Sequence, residues 1–136
     1  MYISKTSLRV RYSETDQMRY AYYGNYATYY EVGRVEALRQ LGMTYRELED
    51  SGLMMPVLNS KSVFHKPAKY DEELNIEVRV VEMPSTRIKF EYRIFNEAEV
   101  LIHSGETTLA FVNKHTGKPE KAPTKMTDLL APFFNE

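Results

Sequence analysis

The chain has 136 residues, 18 Lys or Arg against 19 Asp or Glu, and no cysteine. The length suits one domain with a real core and is short for two. A net charge of −1 offers no general attraction to nucleic acid or to an anionic membrane surface, and a chain without cysteine has no disulfide, thiolate nucleophile or Cys-based zinc site.

Leu8, Val10 and Tyr12 alternate with Arg9 and Arg11, the period of a half-buried strand over 8–12. Residues 13–24 read as a turn and an ordered loop. Tyr26, Tyr29, Tyr30, Gly33, Ala37 and Leu41 then recur at helical spacing, and Gly42 is a suitable stop. The spacing predicts a helix of about 17 residues, roughly 25 Å long at 1.5 Å per residue. A glycine inside a helix costs stability, so Gly33 is expected where the helix closely approaches a strand. Thr44 and Glu47 make a Thr-x-x-Glu capping box for a second, short helix that ends at Ser51 and Gly52.

Beyond Pro56 the pattern turns to strands. They are expected over 57–64, broken by Pro67, then over 74–80, 88–94 and 100–112, the last bent or bulged at Gly105. Residues 96–99 read as a hairpin turn and 115–119 as another turn. The tail is basic from Lys121 and then apolar to Phe133 and Phe134, which suits docking on a partner subunit or a loose end. Short connections make the late strands antiparallel, and their apolar face needs a cover that only the long helix can provide. The expected fold class is α+β: one domain over 1–136, an antiparallel sheet wrapped around one long central helix.

The chemistry gathers before that helix. Asp16 lies just upstream of a helix N-terminus, where backbone N–H groups lack intrahelical partners. Such donors can hold a developing oxyanion while the carboxylate attacks or activates water, which makes acyl transfer the chemistry to expect. An aspartate in a turn ordinarily serves as a cap, but Asp16 is several residues too early for a simple N-cap. Glu31 is the rival carboxylate, read as an i,i+3 ion pair with Arg34. His65, His103 and His115 show no ligand spacing, so neither a metal nor a cofactor is expected.

Three segments carry a family resemblance. Tyr12, Ser13, Glu14, Thr15, Asp16, Gln17 and Met18, followed by Tyr22, Tyr26, Tyr30, Glu31 and Arg34, resemble the signature before the central helix of the hotdog-fold acyl-CoA thioesterases of the 4-hydroxybenzoyl-CoA thioesterase-like family. Phe64, Pro67, Ala68, Asp71 and Glu72 resemble that family's turn between strands, and residues 85–90 its next strand entry. The similarity runs from about residue 7 to about residue 123.

The resemblance implies hydrolysis of an acyl-CoA thioester by a cytoplasmic homodimer or homotetramer, without nucleic acid or membrane partners. Asp16 then matches the catalytic nucleophile or general base. Tyr22, Tyr23, Gly24 and Asn25 contact substrate, with backbone N–H groups at Tyr23 and Gly24 polarising the carbonyl. Lys66, Arg87 and Lys89 are the basic side chains assigned to the CoA phosphates. The chain departs from the family where Tyr-His is frequent: here the pair is Tyr22 and Tyr23. Two alternatives stand beside this reading, a non-catalytic hotdog module that binds acyl thioesters and a thioesterase acting on acyl carrier protein.

Overall fold

A computed structural model describes residues 1–135. Strand β1 (Tyr2–Arg9) opens the chain. Two 3-10 turns, Tyr12–Glu14 and Tyr23–Asn25, lead into helix α1 (Tyr26–Leu41), and the short helix α2 (Tyr45–Asp50) follows. Then come β2 (Leu53–Met54), β3 (Val57–Phe64), β4 (Glu73–Val80), β5 (Arg87–Phe95), β6 (Leu101–Ala110) and β7 (Val112–Asn113), and last helix α3 (Thr124–Leu130) with a closing turn at Ala131–Phe133. The long strands form one antiparallel sheet in the order β1-β4-β5-β6-β3, and β2 and β7 pair in a ladder of their own.

Helix α1 covers the inner face of that sheet, as expected. Its buried stripe is Tyr26, Tyr29, Tyr30, Gly33, Arg34, Ala37, Leu38 and Leu41. The facing side chains include Ile76 and Val78 of β4 and Ile88, Phe90, Tyr92 and Ile94 of β5, all buried. Gly33 earns its place: a Cβ there would lie 2.9 Å from Val78 Cγ2 and 3.0 Å from Ile76 Cγ2, so the helix sits directly on β4. Gly42 ends α1 at φ 116°, a left-handed conformation that favours glycine.

Several boundaries differ from the sequence reading, each for a local reason. The first strand ends at Arg9, because the Val10 N–H and carbonyl pair instead with Glu72 and Asp71 and the chain then tightens into a 3-10 turn. The last long strand is interrupted at Phe111, and β7 beyond it pairs with β2. Gly105 is no bulge. It keeps regular register with Tyr92 and Ser62, and it is glycine because the Tyr30 hydroxyl occupies the space a Cβ would need, 2.1 Å away. The irregularities fall between Val57 and Asn59 and between Ile94 and Phe95.

Only half of the expected capping box forms. Thr44 Oγ1 accepts from Glu47 N at 3.1 Å, but the Glu47 carboxylate turns outward to Lys125 Nζ at 2.6 Å. The tail folds back on its own subunit. Met126 and Leu130 of α3 are buried, Phe133 stands edge-on to Tyr2 with ring centroids 4.9 Å apart, and Phe134 packs against the core.

Strand β3 is the exception to all this burial. It is one of the two edge strands of the sheet, β1 being the other, and every one of its residues is exposed, including Val57, Leu58, Val63 and Phe64.

Candidate active site

The segment before α1 is a small hairpin. Thr15 bridges Ala21, Asp16 N donates to the Tyr20 carbonyl at 2.9 Å, and Arg19, at φ 63°, carries the turn. Asp16 sits where this turn begins. Its Oδ1 accepts from Met18 N at 2.9 Å and Tyr20 N at 3.3 Å, an Asx-type arrangement that fixes the carboxylate in place. Both bonds fall on Oδ1, and the Asp16 side chain is exposed.

The return arm of the hairpin leads directly into the turn Tyr23–Asn25 and so into α1. Asn25 N donates to the Tyr22 carbonyl and Tyr26 N to the Tyr23 carbonyl. Among the described residues the Tyr23 and Gly24 N–H groups have no backbone acceptor, which leaves two adjacent donors at the positive end of the helix dipole. Tyr22 and Tyr23 are exposed, with ring centroids 4.7 Å apart. Gly24 gives the Tyr22 ring its room, since a Cβ there would lie 2.7 Å from Tyr22 Cε2. The Asn25 side chain is spent on the loop itself: Nδ2 donates to the Glu14 carbonyl at 2.7 Å.

Glu14, which sequence reasoning passed over, anchors this construction. It is buried, and its Oε1 accepts from Arg11 N at 2.9 Å and from the Tyr29 hydroxyl at 3.0 Å. Its Oε2 accepts from Arg11 Nε at 2.9 Å. Burial alone raises a carboxyl pKa, but the Arg11 and Tyr29 hydrogen bonds and the Arg11 charge outweigh it and hold Glu14 below its ordinary value. Burial, together with the same contact, pushes the Tyr29 hydroxyl well up. The available signal was the i,i+3 charge pairing of Arg11 with Glu14.

The mid-helix pair Glu31 and Arg34 does not form. Arg34 is buried and its Nε donates to Tyr45 Oη at 2.9 Å, whereas Glu31 is exposed and makes no ion pair among the described residues. His103 lies on β6, facing α1. It is fully buried, its ring stacks on Tyr26 at 4.0 Å, and its Nε2 is hydrogen-bonded to the Tyr30 hydroxyl, which also meets Ser62 Oγ at 2.7 Å. Its Nδ1 has no partner, and burial pushes its pKa down to about 4. His65 Nε2 lies 3.0 Å from Ser104 Oγ. No group of three or more His, Cys, Asp or Glu among the described residues could hold a metal ion.

The basic residues assigned to CoA phosphates do not meet within one subunit. Lys66 N donates to the Ile102 carbonyl at one end of β6, whereas Arg87 pairs with Ala110 at the other. Eight residues of strand separate those ends by roughly 26 Å. Lys89 is engaged locally, its Nζ 3.1 Å from Glu106 Oε2.

A short polar hairpin thus delivers one exposed carboxylate and two unpaired N–H groups to the start of a buried helix, and comparison with known proteins gives the arrangement a family. The model of the Thioesterase-like superfamily matches residues 10–131. The chain belongs to this superfamily. Among its relatives, YneP of Bacillus subtilis is 32% identical over 119 residues, covering 88% of this chain and 86% of that protein. The acyl-CoA thioester hydrolase YbgC of Escherichia coli is 28% identical, covering 85% and 87% of the two chains. The solved DHNA-CoA thioesterase of Staphylococcus aureus is 31% identical and superposes with a TM-score of 0.94 over 98% of this chain and 92% of its own. The architecture is the hotdog fold of these thioesterases, a sheet wrapped around a central helix. No helix among the described residues is long and apolar enough to cross a membrane.

Proposed function

We propose that this member of the thioesterase-like superfamily hydrolyses acyl-CoA thioesters and that Asp16 is its catalytic carboxylate. The observation that carries the assignment is the pairing, in one loop, of a carboxylate held through one oxygen with two unpartnered N–H groups at the α1 N-terminus. A thioester carbonyl directed at Tyr23 N and Gly24 N gains stabilisation as negative charge develops on its oxygen. Asp16 then attacks the carbonyl carbon or takes a proton from the attacking water. If Asp16 attacks, the C–S bond breaks, the thiolate leaves, and water then hydrolyses the acyl-aspartyl anhydride and frees Asp16. If Asp16 takes a proton from water, the hydroxyl adds to the carbonyl carbon and expels the thiolate directly. Either way the thiolate is protonated and a carboxylic acid is released. Tyr22 and Tyr23 form an exposed aromatic wall beside these donors. Asn25 acts by holding the loop through Glu14.

The functional unit is a homodimer joined along β3. An exposed edge carrying Val57, Leu58, Val63 and Phe64 offers both unpaired backbone groups and apolar surface to a second copy. A twofold axis across this edge runs the two β3 strands antiparallel. It carries Lys66 of one copy toward Arg87 and Lys89 of the other, which assembles from two subunits the basic rim that one subunit leaves divided. The protein works in the cytoplasm, where CoA thioesters are made.

Release of free thiol from a panel of aliphatic and aromatic acyl-CoA thioesters tests the assignment, with Asp16→Ala beside wild type. Cleavage by wild type and a loss of at least ~10²-fold in kcat for a folded variant is the expected result. Equal rates in both would move the chemistry to another group, Glu31 first. Binding of acyl-CoA without turnover would leave a non-catalytic binding module. Turnover restricted to acyl carrier protein thioesters would change the carrier and keep the chemistry.

A further inference from the structure

Among the described residues, His103 Nδ1 is the one buried side-chain polar atom without a hydrogen-bond partner. An orphaned polar atom in a core costs stability, and an apolar side chain of similar size would remove that cost. Strand β6 nevertheless carries an imidazole here, fully buried. Stability does not account for it, and its neighbours offer another reason.

The unpaired atom fixes the tautomer. A lone pair without a donor is less costly than an N–H without an acceptor, so the network assigns the ring proton to Nε2. Nε2–H then donates to the Tyr30 hydroxyl, and the Tyr30 O–H donates to Ser62 Oγ at 2.7 Å. Tyr30 lies on α1 and Ser62 on β3, so the ring is held in one orientation between helix and edge strand. Phe64 closes on it edge-on, with centroids 4.7 Å apart and planes at 80°.

Held in this way, the imidazole presents its face to Tyr26. The two rings are 4.0 Å apart and 11° from parallel. Tyr26 is the first residue of α1, and its N–H donates to the Tyr23 carbonyl. That bond closes the turn that carries the unpaired Tyr23 and Gly24 N–H groups. The hairpin anchors the same stretch through Glu14, which receives the Tyr29 hydroxyl and Asn25 Nδ2. His103 supports it from the sheet.

We propose that His103 is a positioning residue for thioester cleavage: its ring, oriented by Tyr30 and Ser62, supports Tyr26 and so sets where the two N–H donors meet the thioester oxygen. It acts through Tyr26 and touches no substrate. The inference rests on the thioesterase reading above and adds to the loop's machinery a side chain from the core of the sheet. Donors aimed at the oxyanion act on the transition state, so their displacement lowers kcat rather than raising KM.

His103→Leu removes the ring and the orphaned atom together. Its thermal midpoint should equal or exceed that of wild type, whereas kcat for acyl-CoA hydrolysis should fall about tenfold or more with KM changed less than about twofold. A side chain that served packing alone would not lose turnover while stability is kept. Tyr30→Phe keeps the core ring, removes the hydroxyl and should lower kcat in the same sense; it carries the test should His103→Leu not fold. His103→Gln restores an N–H that can reach the Tyr30 hydroxyl and should return at least about half of the wild-type kcat. The amide signals of Tyr23 and Gly24 in nitrogen–proton correlation spectra read the donors without turnover. They should move in His103→Leu and Tyr30→Phe and return in His103→Gln. A kcat within about twofold of wild type in the folded removal variants overturns the proposal. So does a loss confined to KM, or a His103→Gln variant as slow as His103→Leu. A wild type that cleaves no acyl thioester would instead overturn the thioesterase reading, and unmoved amide signals would then separately overturn the support of the donors by His103.

Discussion

Glu14 and Asp16 are two residues apart and do opposite work. Glu14 is buried and saturated with donors, whereas Asp16 is exposed and bonded through one oxygen only. Glu14→Ala would leave the Arg11 N–H and the Tyr29 hydroxyl without their acceptor, and a loss of about 2–4 kcal/mol is expected in urea unfolding. The hairpin loosens with it, so thioesterase rates should fall although Asp16 is untouched. His103 makes the molecule acid-sensitive. Its folded pKa of about 4 lies below the ordinary histidine value, so between those two values the unfolded chain binds the proton and the folded one does not. Stability therefore falls as pH drops from about 7 toward 4, by roughly 3 kcal/mol in full. Glu14, whose pKa is lowered, adds a loss at the acid end of the same range, because its favourable contacts are present above the unfolded carboxylate pKa and vanish on protonation. Urea midpoints at pH 7 and pH 4.5 should drop more for wild type than for His103→Gln.

At the scale of elements, two glycines bring pieces of the fold into contact. Gly33 lets α1 rest on β4, and Gly105 lets the Tyr30 hydroxyl of the same helix press into β6. At Gly105 an added methyl group would meet that hydroxyl and also the Lys61 carbonyl, 3.0 Å away, which is backbone and cannot swing aside. Gly105→Ala should therefore cost about 1–3 kcal/mol by overpacking and disturb the bonds of Tyr30 to Ser62 and His103. Thermal unfolding measures the first effect. The second should appear as a changed environment of the His103 ring, which its NMR chemical shifts read directly. The start of α1 works by a different device. The preceding 3-10 turn extends the helix by one tight turn and leaves the Tyr23 and Gly24 N–H groups pointing ahead of it.

At the scale of the whole molecule, the unfinished edge matters most. The β1 side of the sheet alternates buried and exposed residues, but β3 is exposed throughout and carries four apolar side chains into solvent. Such an edge is an association surface. Val63→Lys combined with Leu58→Lys places two charges on it without touching the core, since both positions are about half exposed. Light scattering should show wild type as a dimer or tetramer and the double variant as a monomer. Thioester hydrolysis should fall with dimer content if the functional unit is the β3-joined dimer proposed above.

The local devices were written in the sequence. Periodicity revealed the central helix and its glycine contact, alternation revealed the long strands, and the spacing of Asp16 from the helix placed it in a loop rather than at a cap. These are short-range properties, set by side-chain period and backbone donors within a few residues. Tertiary structure alone decided the rest. Glu14 looked like one more loop carboxylate until Tyr29, fifteen residues on, closed over it. His103 gained its buried partners from α1 and β3, and Arg34 found Tyr45 rather than Glu31. The separation of Lys66 from Arg87 follows from strand order, which no local pattern encodes. Period and capping act between neighbours, whereas burial and the free edge depend on which distant segments the sheet brings together.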